Sequence, residues 1–162
     1  MAKIKHPVTP AIRRLRAAQA VFTPHLYTYE EHGGTASAAQ QLGVPEDRVI
    51  KTLVMETDAR AALIVLMHGD REVSVKTLAR LLEVKSVTPC RTDTAMRHTG
   101  YQVGGTSPFG TRTTLPVYME ETITQCPTIY LNGGKRGFLV EMEPAEAMRM
   151  LQPHLVSAAT PH

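Results

Sequence analysis

The run GYQVGGTSPFG, residues 100–110, is the main candidate for chemistry in this sequence, although it contains no strongly reactive side chain. Glycine lets the backbone approach a ligand closely, and successive peptide N–H groups in such a loop can cradle an anion. A hairpin connection needs only a short loop and does not explain a run of this length. We therefore expect a main-chain binding loop formed by Gly104, Gly105, Thr106, Ser107 and Pro108.

Lys51 is the candidate charged side chain, because it interrupts an otherwise apolar run from Val49 to Met55. Periodicity alone favours a solvent-facing strand position for this lysine. A second pair of glycines, Gly133 and Gly134, requires no more than a turn to explain it. The residues by themselves leave the roles of these positions open.

Three common site motifs are missing from the sequence. One residue too many separates Ser107 from Gly110 for the nucleophile elbow of a hydrolase. The seven histidines show no H-E-x-x-H pattern or other helical pairing, so we expect neither a metal nor a cofactor. The glycines around Lys135 do not fit the phosphate-loop pattern. Cys90 and Cys126 form no C-x-x-C pair, which favours a reduced, cytoplasmic setting.

Composition limits the class of protein. With 162 residues and 43% hydrophobic content the chain can bury one core, so we expect a single domain over residues 1–162. The net charge of +3 is compatible with a phosphate-rich partner without requiring one. Aromatic residues make up 5% and tryptophan is absent, which argues against an extended base-stacking surface. We expect neither DNA nor a membrane as a partner, because no stretch is apolar enough to cross a bilayer.

Start and stop signals predict the helices. Thr9 and Pro10 are typical of a helix start, Thr35 is a candidate cap for a helix closed by Gly43, and Ser74 begins another helix. A short helix from Thr92 ends before Gly100, and Pro144 begins the last one, which Pro153 stops. These nine positions are predicted from local signals alone.

Alternation and apolar runs predict the strands. Residues 25–30 indicate a short strand, and the runs 49–55 and 61–67 predict a hairpin at the sheet centre. Asn132-Gly133 predicts a tight turn that leads into the returning strand Phe138–Met142. We expect residues 155–162 to be a loose tail. Together the elements predict an α+β domain with a mixed, curved central β-sheet flanked by helices.

Several motifs in order along the chain resemble one family. They are TPA at residue 9, VIKTL at residue 49, TGYQVGGTSPFG at residue 99, LP at residue 115 and IYLNGGKRG at residue 129. This set strongly resembles the YbaK-type aminoacyl-tRNA deacylases, free-standing relatives of the editing domain inserted in bacterial prolyl-tRNA synthetase. The resemblance runs from the first helix to the last predicted hairpin.

The resemblance implies hydrolysis of the ester between an amino acid and the terminal adenosine of tRNA, chiefly in Cys-tRNA(Pro) and also in Cys-tRNA(Cys). The family's required lysine falls on Lys51, which adds charge at the carbonyl or holds the adenosine and its phosphate. Its glycine loop falls on residues 104–108, Tyr29 matches a family tyrosine, and Gly133 and Gly134 join the substrate-binding set. A thiol of the substrate itself is the implied attacking group, so the protein needs no catalytic triad.

Departures from the family pattern affect the expected substrate range. Asn132 stands where close relatives have serine, Leu139 where they have an acidic residue, and Gly33-Gly34 where they have an aromatic residue. The expected partners are the acceptor end of aminoacyl-tRNA and prolyl-tRNA synthetase. Alternatives are a deacylase of Ala-tRNA(Pro), a non-catalytic protein that binds aminoacyl-tRNA or a synthetase, and a module that binds a free nucleotide.

Overall fold

The computed structural model describes residues 5–161. Its α-helices are α1 (Pro10–Ala17), α2 (Gly34–Leu42), α3 (Val75–Leu82), α4 (Thr92–Thr99) and α5 (Pro144–Leu151). Its strands are β1 (Thr23–Leu26), β2 (Ile50–Thr57), β3 (Ala62–His68), β4 (Val87–Pro89), β5 (Val117–Glu120), β6 (Ile129–Lys135), β7 (Phe138–Met142) and β8 (His154–Val156). Short 3₁₀ helices, Glu46–Arg48 and Glu121–Gln125, precede β2 and β6. Within this part of the chain, every helix is too short or too polar to traverse a lipid bilayer.

Local capping groups explain where most helices begin and end. The Thr9 hydroxyl accepts the N–H of Ile12 at the start of α1, and Ser74 caps α3 in the same way. Gly43 and Gly100 end α2 and α4 with φ values of 68° and 79°, a region in which glycine is favoured. These four predictions are confirmed.

The predicted cap at Thr35 is wrong. Helix α2 begins at Gly34, and Gly33 occupies the cap position. The Thr35 hydroxyl donates instead to the Glu46 carboxylate at 2.8 Å and to the Gly69 carbonyl at 3.1 Å. It therefore connects α2 to the segments that precede β2 and follow β3.

The strands form two sheets, and this confirms the α+β class. The larger sheet has the order β4-β2-β3-β5-β8 and is mixed, because β3 and β8 run parallel to β5 while the β4-β2-β3 pairs are antiparallel. The smaller sheet, β1-β7-β6, is antiparallel throughout. An isolated bridge between Val49 and Tyr130 connects the two sheets. The predicted hairpin of β2 and β3 is confirmed, and the second sheet was not foreseen.

Strand β3 is covered on both faces, which explains its nearly continuous apolar sequence. Ile64 and Leu66 pack into the larger core, with residues of α1, β6 and β7. Leu63 and Val65 point the other way and pack with residues of α3. The strand therefore holds the two cores, and with them both sheets, in one body.

The predicted turn at Asn132-Gly133 is wrong, although the hairpin itself exists. Lys135 pairs directly with Phe138, so Arg136 and Gly137 form the two-residue connection between β6 and β7. Asn132 lies within β6 and pairs with Leu139, and an irregularity follows at Gly133 and Gly134. The Asn132 side chain accepts the N–H of Gly134 at 2.7 Å and that of Lys135 at 3.2 Å, which stabilises a bulge in place of a chain reversal.

The expected loose tail is also wrong over most of its length. Strand β8 adds to the edge of the larger sheet beside β5, and Ala158 is completely buried. The buried Glu120 carboxylate accepts the N–H groups of Ala158 at 2.7 Å and Ala159 at 3.3 Å. His162 lies outside the described residues.

A polar cluster fixes the smaller sheet to the segment before β2. Glu141 accepts from Thr128 at 2.7 Å and contacts His25 at 2.8 Å, while the Arg48 guanidinium donates to the Thr128 carbonyl. Burial acts to raise the pKa of Glu141, but hydrogen bonds from Thr128, His25 and Tyr130 outweigh it, so this pKa lies below the ordinary value of 4.5. The ionised carboxylate is therefore bound more favourably in the folded chain than in the unfolded one.

Acid should weaken the fold through Glu141. A lowered folded pKa contributes stability that is present above pH 4.5 and is lost as pH falls through the folded value. We expect Glu141→Gln to lower the free energy of unfolding at neutral pH. We also expect this free energy to decrease less between neutral and acid pH than in wild type, as measured by urea titrations at each pH. Glu83→Gln, at the exposed end of α3, is the matched control. An unchanged acid profile in Glu141→Gln would contradict this assignment.

Candidate functional site

A cavity of about 530 Å³ lies between the first half of β2, the start of α2, α4 and the loop that precedes residue 107. Of the predicted site residues, Lys51, Tyr29, Gly104 and Thr106 line this cavity. Small or apolar side chains contribute much of the remaining wall, among them Ala38, Leu53, Val54, Ala95 and Leu139. The structure therefore brings the lysine and the glycine loop to one hollow, whose lining also includes the carboxylates of Glu30 and Glu31.

The other five predicted residues do not line the cavity. Ser107 is fully buried and its hydroxyl accepts the N–H of Phe109 at 3.1 Å, while Pro108 is buried beside it. Gly105 packs against the backbone of residues 135–136, where an added Cβ would lie 2.9 Å from the Arg136 nitrogen. Added Cβ atoms on Gly133 and Gly134 would meet the rings of Phe138 and Tyr101 at 2.5 and 2.8 Å. These residues shape and support the loop from behind.

The loop turns at Gly104 so that its main chain approaches the cavity. Gly104 has a φ of 85°, and a Cβ there would lie 3.0 Å from the Tyr29 ring. The Gly105 N–H is already used, since it donates to the Gln102 carbonyl at 2.8 Å. Gly104 and Thr106 are therefore the residues of the loop whose N–H groups are candidates for binding an anion at the cavity wall.

Lys51 supplies a positive charge to the cavity. Its side chain is only 19% exposed, and its ammonium group pairs with the Glu72 carboxylate at 3.2 Å. Glu72 is 82% exposed, so this pair is close to water and contributes little to stability. A ligand with its own negative charge can replace Glu72 as the partner of the ammonium group at small cost.

The first half of β2 leaves an open strand edge at the cavity. The Cys90 N–H donates to the Val54 carbonyl at 3.0 Å, and strand β4 pairs with β2 only from Met55 onward. Because main-chain polar groups alternate along a strand, those of Thr52 point to the same side as those of Val54. Thr52 lines the cavity, and its buried hydroxyl has no hydrogen-bond partner among residues 5–161. This edge can bind a group that both donates and accepts hydrogen bonds.

Sequence reasoning missed two residues at the mouth of the cavity. The Arg136 guanidinium donates to the Val103 carbonyl at 2.8 Å and lies 4.8 Å from the centre of the Tyr29 ring. Asn132, which was given no role, lines the cavity and donates from its side-chain amide to the Gly104 carbonyl at 3.1 Å. A cationic residue beside a tight turn was a signal for Arg136, whereas nothing local marked Asn132.

Two other features of the described residues are less suited to chemistry. Asp47, His68 and Cys126 place potential ligand atoms within 4.8 Å of one another, but both ring nitrogens of His68 already have partners, the Asp47 carbonyl at 2.6 Å and the Thr122 hydroxyl at 2.7 Å. Burial raises the pKa of the Cys126 thiol, so its metal-binding thiolate form is disfavoured. A second hollow, of about 350 Å³, is lined by Leu26, Tyr27, Thr28 and Gln41 and contains no charged side chain.

Comparison with known proteins gives one family. A family described as "Aminoacyl-tRNA editing domain" matches residues 30–150, which is most of the chain. A protein of Enterococcus faecalis named "Putative Cys-tRNA(Pro)/Cys-tRNA(Cys) deacylase EbsC" is 28% identical over 153 residues, which cover 94% of this chain and 93% of the relative.

Two further matches are proteins whose names refer to proline–tRNA ligase or prolyl-tRNA synthetase. A proline–tRNA ligase of Bacillus subtilis is 27% identical over 123 residues, which are 76% of this chain but only 21% of the ligase. A crystal structure described as "a putative trans-editing enzyme for prolyl tRNA synthetase" superposes with a TM-score of 0.81 at 21% identity, covering 96% of this chain and all of the other. At that identity the superposition shows a common fold.

A methyl group at Gly104 should displace Tyr29. Gly104→Ala adds a Cβ 3.0 Å from the ring at a positive φ, so we expect shifted Tyr29 ring signals by NMR and a loss of about 1–2 kcal/mol in the free energy of unfolding. Gly43→Ala has a φ of 68° but open space around the new methyl. This control should show a similar loss of stability with unchanged Tyr29 signals. Unchanged Tyr29 signals in Gly104→Ala would contradict the described contact.

Proposed function

Because this chain belongs to the family of aminoacyl-tRNA editing domains, we propose that it hydrolyses Cys-tRNA(Pro) in trans, and Cys-tRNA(Cys) to a lesser extent. The general activity, that of an aminoacyl-tRNA deacylase of the YbaK type, follows from membership of the family. The observation that carries the finer proposal is that Lys51, Gly104 and Thr106 line one cavity. This cavity combines a cation and main-chain donors with small apolar walls.

The chemistry assigned to these groups is stabilisation of developing negative charge. Attack on the ester carbonyl places charge on its oxygen, and preorganised N–H groups in a partly dry site stabilise such an oxyanion strongly. We assign this role to the N–H groups of Gly104 and Thr106. The Lys51 ammonium adds charge at the same oxygen or binds the phosphate of the terminal adenosine, after it leaves Glu72.

The attacking group in this proposal belongs to the substrate. The cysteine sulfur forms a bond to its own ester carbonyl carbon, the bond from that carbon to the ribose oxygen breaks, and the thiol proton ends on the ribose oxygen. Water then opens the cyclic thioester to release cysteine. An intramolecular attack of this kind has a large proximity advantage and requires no protein nucleophile.

Chemistry that requires a thiol also explains selectivity. An apolar wall made of residues such as Ala38, Ala95 and Leu139 accepts a small side chain, but a pocket of this kind separates side chains that differ by one methylene by only about 1–3 kcal/mol. A thiol-dependent step rejects alanine and proline for chemical reasons. Leu139 is apolar where close relatives have an acidic residue, and an apolar wall also accepts alanine. Ala-tRNA(Pro) is therefore the second candidate substrate.

Prolyl-tRNA synthetase is the proposed partner. The chain matches a segment of 123 residues that forms 21% of a proline–tRNA ligase, so the ligase contains much more than the editing unit. The matched segment leaves out most of the ligase, and the synthetase that makes the mischarged tRNA is the proposed source of tRNA selectivity. A reduced cytoplasm, where translation takes place, is the setting that agrees with both cysteines being free.

Removal of the cavity's ammonium group should slow hydrolysis strongly. We expect Lys51→Ala to lower kcat for Cys-tRNA(Pro) by about 100-fold or more, since loss of one oxyanion-stabilising group has effects of this size. Lys76→Ala, an exposed lysine of α3, is the matched control and should retain wild-type rates. Equal hydrolysis by Lys51→Ala and wild type would support a non-catalytic binding protein instead.

A panel of aminoacyl-tRNAs should identify the substrate. We expect rapid ester loss from Cys-tRNA(Pro), slower loss from Cys-tRNA(Cys) and little from Ala-tRNA(Pro), with a larger difference between the two cysteinyl species when prolyl-tRNA synthetase is added. Trapping of the released amino acid with a thiol reagent distinguishes a cyclic thioester from free cysteine. Hydrolysis confined to Ala-tRNA(Pro) would replace the thiol mechanism by attack of water.

A further inference from the structure

We infer that Asn132 is a positioning residue that locks the peptide group between Gly104 and Gly105, and thereby orients the main-chain donors of the cavity. This inference rests on the proposed function of the cavity. Asn132 makes three hydrogen bonds in the structure: its carbonyl oxygen accepts from the N–H groups of Gly134 and Lys135, and its amide donates to the Gly104 carbonyl at 3.1 Å.

The bulge in β6 fixes the direction in which Asn132 points. Two main-chain donors, at 2.7 and 3.2 Å, hold the side-chain oxygen. Because the amide is planar, its NH₂ group is then directed away from the bulge. The Gly104 carbonyl lies in that direction and accepts from it.

Asn132 controls a peptide group that would otherwise turn over easily. Glycine populates positive and negative φ about equally, so a peptide group with glycine on both sides has little steric resistance to a flip. Here its oxygen is held by Asn132 and its N–H by the Gln102 carbonyl at 2.8 Å. With both polar atoms held, the flanking N–H groups of Gly104 and Thr106 keep one orientation.

The consequence for catalysis is preorganisation rather than contact with the reacting atoms. Without this restraint, ψ of Gly104 and φ of Gly105 are free to change. Any change in one angle that the other does not compensate turns the adjoining peptide groups, which carry the N–H groups of Gly104 and Thr106. Donors stabilise an oxyanion only when they are already in place, and a small displacement costs as much as 100-fold in rate. Loss of the Asn132 bond should therefore lower kcat and leave KM nearly unchanged.

Asn132→Asp separates the loop contact from the bulge contacts. A carboxylate still accepts from Gly134 and Lys135, but it cannot donate to the Gly104 carbonyl and repels it. When the new carboxyl is protonated, it regains a donor. We expect kcat to be lower by roughly 10- to 100-fold at pH 7.5. The ratio of variant to wild-type kcat should rise as pH is lowered to about 5, by up to tenfold per unit while the carboxyl remains mostly ionised.

Asn132→Ala is the control, because it loses all three bonds and introduces no titratable group. The ratio of its kcat to the wild-type kcat should be low and independent of pH. Wild-type kcat in Asn132→Asp at every pH would overturn the inference. So would a defect confined to KM and removed by added salt, because that pattern indicates repulsion of tRNA phosphates. Wild-type rates in Asn132→Asp beside a low, flat ratio for Asn132→Ala would assign Asn132 to the bulge alone. A low ratio for Asn132→Asp that does not rise on acidification would also overturn the inference, because a carboxyl that donates again should restore part of the rate.

NMR tests the lock independently of any hydrolysis. In Asn132→Asp at neutral pH, we expect the Gly104, Gly105 and Thr106 amide signals to show exchange on the microsecond to millisecond timescale, and we expect no such exchange in wild type. Sharp, unshifted signals in the variant would overturn the inference. If the wild-type protein hydrolyses no aminoacyl-tRNA, the proposed function fails, while this measurement still decides whether Asn132 restrains the loop.

Discussion

The close approach of two glycine-containing segments is the constraint on which the cavity depends. The loop after Gly100 packs main chain against main chain onto the bulge and turn of the β6–β7 hairpin. A methyl group on Gly105 would lie 2.9 Å from the Arg136 nitrogen, and one on Gly134 would lie 2.8 Å from the Tyr101 ring. No larger residue fits at either position without displacing a neighbour. The part of the pocket wall that this loop forms is therefore made of backbone, and the side chains behind the loop serve mainly to support it.

The supporting contacts come from the beginning of the chain as well as from the hairpin. The Thr9 hydroxyl caps α1 and also donates to the Gly133 carbonyl, which connects the first helix to the bulge. The Tyr101 hydroxyl donates to the Phe109 carbonyl at 2.6 Å and closes the loop on itself. Burial raises the pKa of Tyr101 to about 12, so this hydroxyl remains a neutral donor under physiological conditions. The threonine of the TPA motif thus has a structural role, because it connects the first helix to the bulge.

Features set by neighbouring residues could be predicted from the sequence. The caps at Thr9, Ser74, Gly43 and Gly100 follow from hydrogen bonds and dihedral angles within one turn of chain, and the β2–β3 hairpin follows from two adjacent apolar runs. Lys51 and Gly104 were found through motifs, and the structure places them at one cavity.

What could not be predicted depends on partners distant in sequence. Asn132-Gly133 has the composition of a turn, but the Asn132 side chain binds forward to Gly134 and across to Gly104, 28 residues away. The segment after residue 154 carries no local signal of order. It is held by the buried carboxylate of Glu120, which lies in a different strand and accepts the Ala158 N–H. A sequence pattern shows which residues can form a turn, a strand or a tail. Contacts between residues distant in sequence decide which of these structures forms.

The position of β8 has a consequence for the order in which the protein forms during synthesis. The carboxylate of Glu120 is buried, and the backbone amides that donate to it belong to residues nearly forty positions later in the chain. Until those residues leave the ribosome, the edge of β5 is uncovered and this acidic group must remain hydrated. Completion of the larger sheet therefore requires residues 154–159, and β5 is an open edge strand until they are in place.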